Sequence, residues 1–300
     1  MVSATPAALP ADEPAARSGT RALSLRRDIL KALVIAFKLT KHYLDCVTPD
    51  GRAFIGYWAR LDWLGVRVVY ASTILHDRAR GDLEPRTTTA STVRGGPGPV
   101  LGAARASWEC APLGLSGSWE PTAEPIDRLV LDDADGTVRW HCLMPRARAR
   151  VRVEGGGTLE GLGYAETVEL TVAPWNLPIQ ELRWGRFGAE SGWAVWFEWA
   201  GARPQRLLVE NGRERAPVSL GDEGVCWDDG SVGLGESSTI REGALGMTAL
   251  AGVAPLRKLV PPAVLGTREA KWLSRARMTR GGTAPVPGWA IHEVVRFGSR

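Results

Sequence analysis

The chain has 300 residues, enough for one large domain or two smaller ones. Its apolar content of 44% permits a sizeable core, and its net charge of +4 is only mildly basic. No basic run is interleaved with aromatic residues, so the composition gives no support to nucleic-acid binding. The thirteen tryptophans, against five phenylalanines and four tyrosines, are typical of pocket walls or packed sheet faces.

The first 40 residues differ in composition and hydrophobic pattern from the rest of the chain. Met1 to Gly19 is rich in Ala and Pro without apolar periodicity, which predicts a disordered tail. Ser24 to Phe37 is predicted to be a short amphipathic helix. Its Arg26-Arg27 pair resembles a twin-arginine export signal, but Lys38 ends the apolar run and no Ala-x-Ala site follows. These features favour a cytoplasmic location, with export as the alternative.

From Lys41 onward, alternating apolar and polar residues separated by turn residues predict antiparallel strands. The first three predicted strands are His42–Thr48, Arg52–Trp63 and Val66–Ile74. Asp77–Gly98 is polar and glycine-rich, and it is predicted to be a long loop. Ala249–Gly266 contains three prolines and is predicted to be a connector or lid. The chain is therefore predicted to be all-β, with barrels or packed sheets that leave few exposed edges.

Acidic residues interrupt strand faces that are otherwise apolar. Glu166 shares a face with Tyr164, and Glu293 shares one with Trp289, because side chains alternate with period two. Asp45 interrupts a third such face. A carboxyl group in an apolar pocket has a raised pKa and suits acid catalysis of hydration or cyclisation. Glu166 and Glu293 are therefore the candidate catalytic residues.

A second interpretation makes these carboxylates structural. Arg186 shares an inward face with Trp184 on a neighbouring strand and could neutralise Glu166, because buried charges must be paired. The candidate ligand-binding residues on the inward faces are Tyr57, Tyr164, Trp184, Arg186, Trp199 and Trp289. The four His and four Cys lack the spacing of metal ligands, and nucleotide and serine-nucleophile motifs are absent from the sequence. Neither a metal nor a cofactor is predicted.

One stretch resembles a known family. Gly161-x-Gly163-Tyr164-x-Glu166, Pro174-Trp175 and Leu182-x-Trp184-Gly185-Arg186-Phe187 are similar to the central motif of the lipocalin-like hydroxyneurosporene synthase (carotenoid hydratase) and AttH-like superfamily. The resemblance implies two lipocalin-like antiparallel β-barrels or sandwiches, at residues 41–190 and 191–300, preceded by the tail and short helix of residues 1–40. It also implies a large apolar ligand, with Glu166 at the acidic position of the motif. The chain has Glu166-Thr167 where the resemblance leads us to expect an Asp-His pair.

Three functions are compatible with these features. In the first, an isoprenoid, polyketide or lipid binds in a Trp-lined cavity and undergoes acid-assisted hydration, cyclisation or isomerisation, with Glu166 as the acid. In the second, the protein carries the same class of hydrophobic small molecule without changing it. In the third, the chain is structural and has no ligand. Peripheral association with a membrane stays open, and the sequence does not define an oligomeric state.

Overall fold

The computed structural model describes residues 37–78, 85–93, 96–247 and 262–298. Within these ranges the chain forms nineteen β-strands and three short helical turns, which confirms the predicted all-β class. The predicted tail lies outside the described residues, as do nearly all of the predicted helix and most of the predicted connector. No helix in the described ranges is long and apolar enough to cross a lipid bilayer.

The first half of the chain builds one antiparallel sheet. Its strands are β1 (Lys38–Val47), β2 (Arg52–Trp63), β3 (Val66–Asp77), β4 (Arg86–Thr92), β5 (Val100–Leu101), β6 (Ala106–Cys110), β7 (Leu115–Pro121), β8 (Ile126–Asp133), β9 (Gly136–Val153) and β10 (Gly157–Leu170). The strand order is β4-β3-β2-β1-β10-β9-β7-β6-β5, and β8 also pairs with β9. One of the two antiparallel sheets of the molecule is nearly barrel-shaped, in agreement with the lipocalin-like prediction.

The second half of the chain builds a second antiparallel sheet. Its strands are β11 (Ile179–Ala189), β12 (Gly192–Gly201), β13 (Gln205–Glu210), β14 (Arg213–Arg215), β15 (Pro217–Gly221), β16 (Gly224–Trp227), β17 (Gly230–Ala244), β18 (Arg268–Arg280) and β19 (Val286–Arg296). The strand order is β14-β13-β12-β11-β19-β18-β17-β16-β15. The helical turns are Ala111–Leu113, Pro174–Asn176 and α1 (Pro262–Leu265).

The segment predicted as a long loop contains a strand. Asp77–Gly98 includes β4, which pairs with β3 along its whole length, so the loop prediction is wrong for Arg86–Thr92. Its run of threonines is polar but β-branched, and β-branched residues favour extended backbone. Composition marked the segment as exposed, and β4 is indeed mostly exposed, but exposure does not prevent pairing at a sheet edge.

The two sheets divide the chain between Leu170 and Ile179, whereas the predicted domains meet between residues 190 and 191. The difference concerns β11, which pairs with β12 and β19 of the second sheet. The sequence motif runs continuously from β10 into β11. The sequence alone does not reveal that β10 and β11 belong to different sheets. The partners of β11 on β19 lie about a hundred residues further along the chain.

Four apolar clusters hold the described part of the fold together, and one of them lies around Val172, Ile179 and Trp199. One fills the interior of the first sheet around Trp108, Trp119 and Phe54. Another fills the interior of the second sheet around Phe187 and Trp196. The largest joins the two sheets, and its members come from strands of both. The outward face of each curved sheet is thus buried against the other, and any polar group between them is removed from water.

Candidate functional site

Two rows of side chains meet in the middle of the space between the sheets. On the first sheet, strand register places Tyr57, Tyr43 and Glu166 side by side. On the second sheet, it places Trp184, Glu293 and Lys271 side by side. The Tyr43 and Trp184 rings are 5.3 Å apart between centroids, so the two rows are in contact. We call these six residues, together with Trp140 and Tyr164, the central cluster.

Two glycines of the sequence motif set the position of Glu166. A Cβ atom on Gly161 would lie 2.1 Å from the backbone oxygen of Val47, so only glycine permits this approach of β10 to β1. A Cβ atom on Gly163 would lie 2.7 Å from the Trp119 ring inside the first sheet. The motif therefore keeps small residues on one face of β10. On the other face, Tyr164 and Glu166 project towards the second sheet.

Glu166 is held by neutral donors. The phenol of Tyr164 and the indole Nε1 of Trp140 each donate a hydrogen bond to its Oε2, both at 2.6 Å. Glu166 is 8% exposed and forms no salt bridge within the described ranges. Burial raises its pKa, although the two hydrogen bonds and the nearby Lys41 partly oppose the shift. Its Oε1 receives no hydrogen bond from the described residues and is the oxygen free to carry a proton.

Glu293 is held by a cation instead. Lys271 forms a salt bridge with it, and the exposed side-chain fractions are 1% for Lys271 and 15% for Glu293. Burial alone would raise the pKa of Glu293, but the charges of Lys271 and Lys41 lower it below its ordinary value. Burial likewise disfavours the charge on Lys271, and Glu293 outweighs that effect and raises the pKa of the lysine. The pair is therefore a carboxylate and an ammonium.

Trp184 contacts a hydrogen-bond or charge partner of each carboxyl group. Its ring centroid is 5.5 Å from that of Tyr164, the donor to Glu166. The ammonium of Lys271, the partner of Glu293, lies 5.2 Å from the same ring. Lys271 also lies 5.0 Å from the Tyr43 ring, so aromatic faces surround the buried cation. Glu293 carries enough charge to raise the pKa of Glu166, so the two groups lie within electrostatic reach of each other.

Arg186 pairs with Asp45 rather than with Glu166. The Arg186 Nε lies 3.0 Å from the Asp45 carboxylate, and a second guanidinium nitrogen makes the contact bidentate. Both side chains are almost fully buried, and Tyr43 donates a further hydrogen bond to Asp45 at 3.0 Å. The interpretation in which Arg186 neutralises Glu166 is therefore wrong. Asp45 satisfies the arginine and leaves Glu166 without a cationic partner.

The remaining predicted ligand-binding residues lie at different places along the sheets. Tyr57 belongs to the central cluster, and its ring lies 5.2 Å from the Arg241 guanidinium. Trp199 pairs in register with Leu182, and Trp289 pairs with Gly188. Gly188 lies six positions after Leu182 on the extended strand β11, which corresponds to a distance of about 20 Å. The two tryptophans thus lie at opposite ends of the inter-sheet space and do not share one small cavity.

Solvent reaches the central cluster from one side. The next positions on the same strand faces, two residues from the central rows, are occupied on the first sheet by Lys41 and Val168. On the second sheet they are occupied by Leu182 and Val295. Their strand phase directs them between the sheets, yet all four are only half-buried. Val168 and Leu182 pack against the clusters that join the sheets but do not close this side completely, and Glu293 keeps 15% of its side chain exposed. This half-buried region is the opening through which solvent reaches Glu293.

Sequence reasoning missed Lys271 and Trp140. The alternation of β18 places Ala270 and Trp272 on one face and charged residues on the other, and a charged face is ordinarily expected to lie in water. Glu269 and Lys271 are nevertheless only 5% and 1% exposed. Their partners, Arg241 and Glu293, lie on the adjacent strands β17 and β19. The only available signal was that Glu293 needed a cation, because a buried carboxylate is rarely left unpaired.

These features define an all-β protein of two packed antiparallel sheets, with a buried polar cluster between them. No protein-family model matches the chain, and no curated protein sequence matches it.

Several solved structures are similar in fold. A protein described as AttH from Nitrosomonas europaea is 12% identical, with 88% of this chain and 93% of that chain covered and a TM-score of 0.48. CghA with bound Sch210972 is 12% identical, with coverages of 88% and 89% and a TM-score of 0.48. Kievitone hydratase from Nectria haematococca is 10% identical, with coverages of 86% and 88% and a TM-score of 0.49. At this level of identity the similarities carry no information about the substrate.

Proposed function

We propose that the central cluster is an acid–base site that acts on an uncharged, largely apolar small molecule such as an isoprenoid, polyketide or lipid. The observation that carries the proposal is the contrast between two neighbouring buried carboxyl groups. Burial favours a proton on Glu166, whereas Lys271 keeps Glu293 ionised. Carboxyl groups whose surroundings push their pKa values apart are suited to deliver one proton and to remove another.

In the proposed reaction, Oε1 of Glu166 transfers its proton to an alkene carbon or a carbonyl oxygen of the substrate. The hydrogen bonds from Tyr164 and Trp140 to Oε2 then stabilise the carboxylate that remains. Glu293 accepts a proton either from an attacking water molecule or from a substrate carbon. The first case is hydration, and the second is isomerisation or cyclisation. Exchange with solvent at the half-buried opening returns Glu166 to its acid form and Glu293 to its carboxylate form.

The surroundings of the two carboxyl groups support an uncharged substrate. The walls are the rings of Tyr43, Tyr164 and Trp184, and Glu166, Glu293 and Lys271 are each held by neutral donors or by a partner of opposite sign. Val168 and Leu182 flank the opening. A charged ligand would lose its hydration among these aromatic and apolar side chains, which is unfavourable.

Mass spectrometry of the small molecules that co-purify with the protein tests this proposal. Wild-type protein and the Glu166→Gln and Glu293→Gln variants would be purified from the same cells and extracted. Glu169→Gln, on an exposed residue of the same strand, is the matched control. We expect the two central variants to retain substrate while wild type and control retain product. The mass difference is one water for hydration and zero for isomerisation or cyclisation.

Two results would contradict the proposal. Retention of one identical molecule by all four proteins would identify a carrier rather than an enzyme. Retention of no molecule by any of them, in cells that contain isoprenoids, polyketides and lipids, would make the cluster structural. Thermal melts of each variant accompany the extractions, so that a variant that fails to fold is not counted as one that fails to bind.

A further inference from the structure

A large cleft lies apart from the central cluster, beside Trp289. Its volume is about 1280 Å³, and its walls come from both sheets. β7, β9 and β10 contribute one wall, and β11, β17, β18 and β19 contribute the other. Glu166, Glu293 and Lys271 are not among the residues that line it. The cleft is therefore a second region, which the proposed acid–base chemistry does not use.

Arginine is the main charged residue of the cleft. Six arginines line it against four glutamates, an excess of two positive charges. The arginines are Arg105, Arg148, Arg150, Arg186, Arg275 and Arg277, and the glutamates are Glu120, Glu160, Glu190 and Glu236. A concave surface with an excess of one charge concentrates the electric field and attracts ions of the opposite sign.

Four of the six arginines are already neutralised. Arg148 makes a bidentate contact with Glu190 at 2.8 and 2.9 Å, and this contact links the two sheets. Arg150 pairs with Glu160, Arg186 with Asp45, and Arg275 with Glu236. Among the described residues, no acidic group forms a salt bridge with Arg105 or Arg277. Glu120 is the one cleft glutamate outside these pairs, so two free cations face one free anion.

The two free arginines stand on opposite walls. Arg105 lies just before β6 of the first sheet, and Arg277 lies on β18 of the second sheet. The lining also includes apolar residues, among them Leu162, Leu234 and Trp289. The cleft thus combines two guanidinium groups that form no salt bridge with the described residues and apolar side chains in the same lining.

We propose that this cleft binds an amphipathic organic anion, whose carboxylate or phosphate is held by Arg105 and Arg277 and whose apolar part lies against Trp289 and Leu162. Guanidinium groups form directed hydrogen bonds with both kinds of anion. The site is distinct from the central cluster and does not depend on the function proposed for it. Trp289 and Arg186, predicted from the sequence as ligand-binding residues, both line this cleft.

Isothermal titration calorimetry on the full chain tests the proposal with four probes: octanoate, octyl phosphate, octanol and inorganic phosphate. We expect both amphipathic anions to bind at least about tenfold more tightly than octanol, because charge-assisted hydrogen bonds to guanidinium groups are stronger than neutral ones. They should also bind more tightly than inorganic phosphate, which has no apolar part. The tighter of the two amphipathic anions identifies the head group, since octanoate carries a carboxylate and octyl phosphate a phosphate.

The double variant Arg105→Ala/Arg277→Ala should weaken binding of the tighter anion at least about tenfold. The matched control is Arg86→Ala/Arg213→Ala, which removes two exposed arginines outside the cleft and should leave the affinity unchanged. Added salt should weaken anion binding in wild type more than in the cleft variant.

Three results would overturn the proposal. These are the absence of anion binding to wild type, octanol binding as tight as that of the anions, and an equal effect of the cleft and control double variants. All four substituted arginines are exposed, so the variants should fold, and a thermal melt of each one verifies it.

Discussion

The two sheets contribute opposite electrostatics to the space between them. The first sheet presents Glu166, which two neutral donors hold and which burial makes a weaker acid. The second presents Glu293, which Lys271 keeps as a carboxylate. Both are glutamates on central strands at a similar depth. The contrast shows that burial by itself does not decide whether a carboxyl group keeps its proton, and that the partner does.

The largest effect expected from this contrast is on the second sheet. Lys271→Met leaves Glu293 buried without a cation, so the free energy of unfolding should fall by about 3–5 kcal/mol. Urea denaturation of wild type and variant measures the difference. The double variant Lys271→Met/Glu293→Gln removes both charges and should recover much of the loss. A loss in the double variant as large as in the single one would show that the salt bridge is not the cause.

A smaller effect is expected from removing one neutral donor on the first sheet. Trp140→Phe deletes the hydrogen bond to Oε2 of Glu166 and should cost about 1–2 kcal/mol. Because that bond favours the carboxylate form, the pKa of Glu166 should rise further in the variant. Denaturation with urea gives the first quantity, and a carboxyl titration gives the second. A lowered pKa in the variant would contradict the assignment of Trp140 as a donor that opposes the effect of burial.

Glu166→Gln is expected to have the smallest effect on stability, within about 1 kcal/mol at neutral pH. Glutamine keeps an oxygen that can accept from Tyr164 and Trp140, and no cation loses its partner. The same replacement at Glu293 leaves Lys271 buried and unpaired and should cost about 3–5 kcal/mol. Parallel urea titrations compare the two variants. Equal losses would remove the distinction between the two carboxyl groups.

The pH dependence of these two variants should have opposite signs. Glu166 has a raised pKa in the folded state, so its contribution to stability is present at low pH and is lost as pH rises through that pKa. Wild type should therefore lose stability relative to Glu166→Gln as pH increases above the ordinary glutamate pKa. Glu293 has a lowered pKa, so its contribution is present above the ordinary pKa and is lost as pH falls through the folded value. Urea titrations that extend from pH 8 down to below the folded pKa of Glu293 measure both trends.

The sequence predicts which side chains of a strand share a face, but it does not predict which side chains of other strands they contact. Period-two alternation directed Glu166, Trp184 and Arg186 inward, which agrees with their burial in the structure. Whether Arg186 would meet Glu166 or Asp45 depended on how two sheets stack, and local alternation does not encode that. Asp45 was visible as an acid on an apolar face, but β1 and β11 are about 140 residues apart in the chain.

Long-range pairing also explains why the charged residues of β18 do not all face water. In isolation, a strand with Glu269, Lys271, Arg275 and Arg277 on one face is expected to turn that face to water. The first two positions are buried because β17 and β19 bring Arg241 and Glu293 beside them. The last two remain exposed. A single strand thus changes from a buried to an exposed charged face along its length, which no fixed pattern predicts.

Titration of the individual carboxyl groups tests the central claim most directly. Carbon-13 labelling of glutamate side chains, with Glu166→Gln and Glu293→Gln for assignment, gives the midpoint of each group by nuclear magnetic resonance. The structure predicts that Glu166 titrates above the ordinary glutamate pKa and Glu293 below it. Equal midpoints, or a Glu293 midpoint above that of Glu166, would contradict the division of the cluster into a proton donor and a proton acceptor.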